Sequence, residues 1–132
     1  MHRRYQGRVQ FLGVYVREAH AADGWWPQTQ GQPGCDVAQP KTLAERFGVA
    51  QRTCEALNVT MPLLVDEMDD RVGHAYSGMP DRLYLIDRDG KVAYKGGRGP
   101  FGFRPPELEQ ALAMLLLDEA DPPPKASAPP SR

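Results

Sequence analysis

Asp81 to Lys95 reads DRLYLIDRDGKVAYK. Two runs rich in apolar residues, Asp81 to Asp87 and Lys91 to Lys95, flank Arg88-Asp89-Gly90. Asp-Gly between such runs is a β-hairpin signal. Downstream, Pro105 or Pro106 suits the first turn of a helix, where a missing N–H costs nothing. Leu108, Leu112 and Leu115 form that helix's apolar face. From about Asp121 the chain is rich in Pro, Ala and Ser, and residues 121–132 are expected to stay a disordered tail.

Upstream, Met61 to Val65 (MPLLV) reads as a short strand led by proline. Asp69 is expected to cap a short helix through Tyr76. Thr42 and Glu45 make a T-x-x-E capping box. Leu43, Phe47, Ala50, Cys54 and Leu57 follow at alternating steps of four and three, one helical stripe. Arg8 to Val16 (RVQFLGVYV) is apolar almost throughout and reads as a strand buried on both faces. From about Glu18 to Pro40 runs a loop too long for a plain connection. Strand, helix, strand, helix, hairpin and helix make an α/β fold with one domain over residues 1–120.

Of the 132 residues 25% are charged, with net charge −1, which leaves no basic field for nucleic acid. No run of 18 apolar residues would span a membrane, and Met1 to Arg8 leads into no signal-peptide core, so a cytoplasmic location is expected for what the chain itself encodes. The two cysteines, Cys35 and Cys54, form no CxxC and no zinc-type cluster, so no metal site is expected.

Two long segments stand out. The first is Phe11 to Trp25, FLGVYVREAHAADGW. The second is Val65 to Gly102, containing VDEMDD, AYSGMPDRLYLID and GKVAYKGGRGPFG. Together they resemble the iodothyronine deiodinase family. The resemblance implies a thioredoxin-like α/β fold and a cis Met79-Pro80 bond. It implies a selenol- or thiol-dependent oxidoreductase that removes halide reductively from an aromatic, regenerated by an external thiol with no bound cofactor. It also implies that the strand and helix bearing the nucleophile precede the first recognisable segment, so that the fold is incomplete at its N-terminus. That strand would lie between the strand at 9–16 and the strand at 82–87. A selenocysteine codon read as a stop, a misplaced start and a genuine truncation each account for this. On that basis the chain alone is expected to be inactive.

The same resemblance points to His20 and Glu18 as catalytic residues, His20 handling a proton on the substrate phenol or the nucleophile. Position agrees, since both follow a buried strand, where α/β proteins place their sites. Arg98, in GGRGP, is implied to clamp a carboxylate or phenolate with His20. Trp25 and Pro80 complete the expected substrate contacts, and Gly96, Gly97 and Gly99 read as turn residues. Cys35 is either a regenerating thiol or a plain loop cysteine, and Cys54 a small buried hydrophobe. Asp23 reads as a loop-turning residue, Asp66, Asp69 and Asp70 as structural, and His74 as a surface or core residue. Met61 and Pro40 stand where animal members carry a cysteine and a histidine, which weakens the case for thyroid hormone itself as substrate. Expected partners are a small aromatic, thiol or peroxide substrate, and a second copy or another protein at exposed strand edges. A redoxin-type thiol reductase or peroxidase, and a redox-dead binding module, are the rival readings.

Overall fold

The computed structural model describes residues 1–24 and 37–120. Its order is a 3-10 turn (His2–Arg4), β1 (Gly13–Tyr15), α1 (Leu43–Leu57), β2 (Leu63–Val65), α2 (Arg71–Tyr76), β3 (Tyr84–Ile86), β4 (Val92–Lys95) and α3 (Pro105–Ala120). The expected sequence of elements is therefore present, and the class is α/β. The tail at 121–132 lies outside the described residues.

β1 and β2 pair in parallel, Val14 opposite Leu64, with α1 packed on β2. The strand expected over Arg8 to Val16 is shorter than its apolar pattern. Pro62 has no N–H to extend the ladder; only its carbonyl takes part, accepting from Gly13 N at 2.9 Å. The expectation of burial on both faces also fails. Leu12, Val14 and Leu64 are exposed, forming one outward apolar face.

β3 and β4 form the predicted antiparallel hairpin. Asp87 closes its turn by accepting from the N–H groups of Asp89 and Lys91 at 2.9 and 2.8 Å. Gly90 supplies the positive φ, +79°, that the turn needs. A register shift after Leu85 pairs Ile86 with Val92. α3 lies against this hairpin and buries Leu112. Among the described residues the two strand pairs are separate two-stranded sheets.

α1 begins as the capping box requires: Glu45 N donates to Thr42 Oγ at 3.2 Å. The Glu45 carboxylate reaches back one residue further than usual and accepts from Lys41 N at 2.7 Å. Its buried face differs from the apolar stripe, however. Arg46, Val49 and Ala50 are buried, whereas Phe47 and Leu57 are exposed and Cys54 is only partly covered. The cause is Arg46. Its guanidinium donates from Nη1 to the carbonyls of Asp66 (3.3 Å) and Glu67 (2.7 Å) and to the Asp70 carboxylate (2.7 Å), and so turns the helix toward the chain after β2.

α2 also starts differently. Asp70, not Asp69, is its N-cap, in the left-handed region at φ 54°. Buried Asp66 satisfies the first turn, accepting from Val72 N (3.2 Å) and Gly73 N (2.8 Å). Asp69 accepts from Arg71 N, at 3.2 Å. Side-chain contacts join residues 1–76 to residues 84–120. Arg4 pairs with Glu109 at 2.5 Å, and Tyr84 meets Tyr76 edge-on at 5.1 Å while its hydroxyl donates to Tyr76 O.

Candidate functional site

Beyond the C-terminal ends of β1 and β2 lies a cleft of about 260 Å³. Three elements build it. The chain leaving β1 contributes Val16 and Arg17, and the glycine-rich loop after β4 contributes Arg98. Asp70, Gly73, His74 and Ser77 contribute one face of α2 and its caps, and Met79 follows them. Those four α2 positions fall at i, i+3, i+4 and i+7, the spacing of a single helix face.

Gly73 lets α2 approach β1, because a Cβ there would sit 3.3 Å from Val16 Cγ1. Arg98 is carried by a tightly folded loop. Gly102 N donates to Arg98 O at 2.8 Å, and a side chain at Gly102 would meet the backbone of Gly97 at 2.4 Å. A Cβ at Gly99 would lie 2.1 Å from the Asp81 carboxylate. The turn role assigned to Gly97 and Gly99 therefore comes from crowding. The Met79-Pro80 bond is cis, as expected, and Gly99-Pro100 is cis as well.

The cleft is electropositive. Its carboxylate, Asp70, is already held by Arg46 at 2.7 Å, while Arg17 stands 3.7 Å away, within ion-pair range and beyond a hydrogen bond. Arg98 and His74 are exposed side chains on the remaining walls.

The residues expected to act fall in different places. Arg98 lines the cleft. Pro80 is exposed and outside the lining, its place taken by Met79. Glu18 and His20 lie on the turn after β1, outside the cleft lining, with His20 exposed. Glu18 is fastened locally: its N–H donates to Gln39 Oε1 at 3.0 Å and its carboxylate accepts from the Tyr15 hydroxyl. Burial, then the Glu18 carboxylate, push the Tyr15 phenol well above the usual tyrosine range. Asp23 accepts from Gln39 N at 2.8 Å, across sixteen positions of the chain. Trp25 and Cys35 lie outside the described residues. No metal-type cluster of His, Cys, Asp and Glu occurs among the described residues, and no helix there is long and apolar enough to cross a membrane.

Arg17, Asp70 and His74 were not foreseen as cleft residues. The rule that points to His20 points equally to Arg17, three residues nearer the strand. The i, i+3, i+4, i+7 spacing from Asp70 to Ser77 marks the other wall.

Residues 1–115 match the family model described as "Iodothyronine deiodinase". The chain belongs to the iodothyronine deiodinase family. It is similar to the type I iodothyronine deiodinase of Xenopus laevis, 34% identical over 102 residues, covering 77% of this chain and 38% of that protein. The thyroxine 5-deiodinase of Gallus gallus is 39% identical over 102 residues, again 77% and 38% of the two chains. That of Ovis aries is 36% identical over 109 residues, 83% of this chain and 36% of its own. The chain thus spans little more than a third of the length of these deiodinases.

Proposed function

We propose that this chain is the substrate-holding part of a deiodinase-like oxidoreductase with a thioredoxin-like fold. Its cleft holds an anionic end of a halogenated aromatic, and the selenol or thiol that attacks the halogen comes from a segment outside residues 1–132. The electropositive cleft at the C-terminal end of a parallel strand pair carries this reading, together with the family. The unjoined sheets and the bare apolar face of Leu12, Val14 and Leu64 support a further strand and helix seated between β1 and β3.

The reaction needs a proton and two reducing equivalents. The thiolate or selenolate takes the halogen from carbon, and a proton replaces it there. An external thiol then displaces halide from sulfur or selenium, and a second thiol restores the nucleophile as a disulfide forms. Arg98 steadies the anionic end of the substrate. His20 supplies the proton, and Glu18 fixes the turn that bears it.

A second reading is favoured by one observation: among the described residues no cysteine lines the cleft, and Cys54 sits elsewhere, on α1. Residues 1–132 alone then act as a binding module. Iodide release with dithiothreitol as reductant separates the two, measured on the chain alone and on the product of its reading frame extended upstream. Release by the extended product only is the expected result. Release by neither, with ligand binding retained, favours the module. Peroxide turnover without iodide release would place the extended protein among thiol peroxidases.

A further inference from the structure

Phe101 is the most exposed large apolar side chain among the described residues, at 90%, and it lies in the turn at 99–102 of the glycine-rich loop. The loop's own bonds hold it outward. Gly102 N donates to Arg98 O at 2.8 Å and Phe103 N to Pro100 O at 3.4 Å, so the segment folds back on itself. Gly97 and Gly102 meet backbone to backbone beneath, with no room for a side chain between them. Pro100 and Phe103 flank the ring and are exposed as well. Cations surround this apolar tip, in a chain whose net charge is −1. Arg104 donates from Nε to Phe101 O at 3.4 Å, which draws its guanidinium against the turn, and its side chain stays 63% exposed beside its partner Glu107. Lys95 leads into the loop, and Arg82 is tied to it, donating from Nε to Gly96 O at 2.8 Å. Among the described residues Arg82, Lys95 and Arg98 have no carboxylate partner. The Asp81 carboxylate is turned inward onto Gly99, with Oδ1 buried.

We infer that this loop docks the protein on an anionic lipid bilayer, with Phe101 entering the interface and the surrounding cations resting on the headgroups. A protruding ring needs no matching pocket in a bilayer, whereas a protein partner would have to supply one. Basic side chains around it match the negative surface of the leaflet. An apolar anchor this small attaches only marginally by itself, and the cations supply the second signal that makes attachment stable. Docking of this kind brings the cleft wall formed by Arg98 to the bilayer surface.

Flotation of the 1–132 chain with lipid vesicles tests it, using phosphatidylcholine alone and an equal mixture of phosphatidylcholine and phosphatidylserine. The chain should float with the mixed vesicles at low salt, stay behind with phosphatidylcholine alone, and be released as salt rises. Phe101→Ser should weaken binding to the mixed vesicles about tenfold, and Lys95→Gln about fivefold. Both side chains are exposed, so circular dichroism should show both variants folded as wild type. Leu57→Ser removes a different exposed apolar group, 70% exposed at the end of α1, and should bind as the unaltered chain does. Absence of flotation with the mixed vesicles overturns the inference and leaves the loop to a protein partner. Equal flotation with both vesicle types overturns the part played by charge. Undiminished binding by Phe101→Ser reduces the surface to an anion patch and overturns the anchor. A loss in Leu57→Ser as large as that in Phe101→Ser would mean general stickiness rather than docking by this loop. None of these outcomes depends on iodide release, so the inference and the deiodinase-like reading stand or fall separately.

Discussion

Replacing Arg46 by Met tests how the fold holds its site. The Arg46 side chain is 3% exposed, and Nη1 alone serves three acceptors on the segment between β2 and α2. Met matches its bulk and removes every donor. The Asp66 and Glu67 carbonyls lose their partner, and the Asp70 carboxylate, 16% exposed, keeps only Arg17 at 3.7 Å. Breaking one side of a buried ion pair costs about 3–5 kcal/mol. Because Asp70 retains some solvent and Arg17, the lower end applies, about 3 kcal/mol. For a domain of this size that lowers Tm by about 12 °C. Thermal unfolding followed by circular dichroism measures it, and a double-mutant cycle with Asp70→Asn isolates the pair. Asp70→Asn should recover part of the loss in the Arg46→Met background, since it removes the stranded charge. A loss under about 1 kcal/mol with additive single effects would refute the reasoning, because the bare Nε of Arg46 would then offset what Nη1 gains.

Three further outcomes are expected. Truncation of buried Leu112 to Ala should cost about 2–5 kcal/mol in urea unfolding with an unchanged m-value, since α3 is seated on the hairpin through it. Gly99→Ala forces a methyl against the Asp81 carboxylate and should cost about 1–3 kcal/mol, while Gly90→Ala, open to solvent, strains only φ; a neutral Gly99→Ala would show that the loop is loosely held. The folded state raises the Tyr15 phenol, so the stability it confers is complete below the unfolded tyrosine value of about 10 and is lost as pH rises through the folded value. Tyr15→Phe should accordingly flatten the alkaline limb of a stability-against-pH profile, and an unaltered limb would sink that assignment.

Local rules were enough for most elements. The capping box at Thr42 and Glu45, the Asp-Gly turn, proline opening α3 and the Leu108-Leu112-Leu115 face each need only neighbours in the chain. What failed depends on distant partners. Phe47 and Leu57 keep helical spacing, but spacing cannot show that the charged residue before Phe47, Arg46, finds three acceptors some twenty residues away. Arg8 to Val16 is apolar enough for a longer strand, yet Pro62 on its partner ends the ladder. The site was legible in the same partial way. Arg98, which lines the cleft, was pointed to by resemblance alone, whereas Arg17 and His74 become cleft residues only once α2 closes against β1.

The three aspartates after β2 show why composition alone could not separate structure from site. All three sit where a helix start favours carboxylates. Asp66 spends both oxygens on backbone N–H groups and is buried. Asp69 caps weakly from the surface. Asp70 makes no side-chain cap at all; its left-handed backbone turns the carboxylate between Arg46 and Arg17. One oxygen thereby anchors α1 to the chain after β2, and the other holds Arg17 at the rim of the cleft without consuming it. The charge that makes the cleft selective is therefore positioned by the contact that holds α1 in place, and any change that loosens Arg46 loosens both.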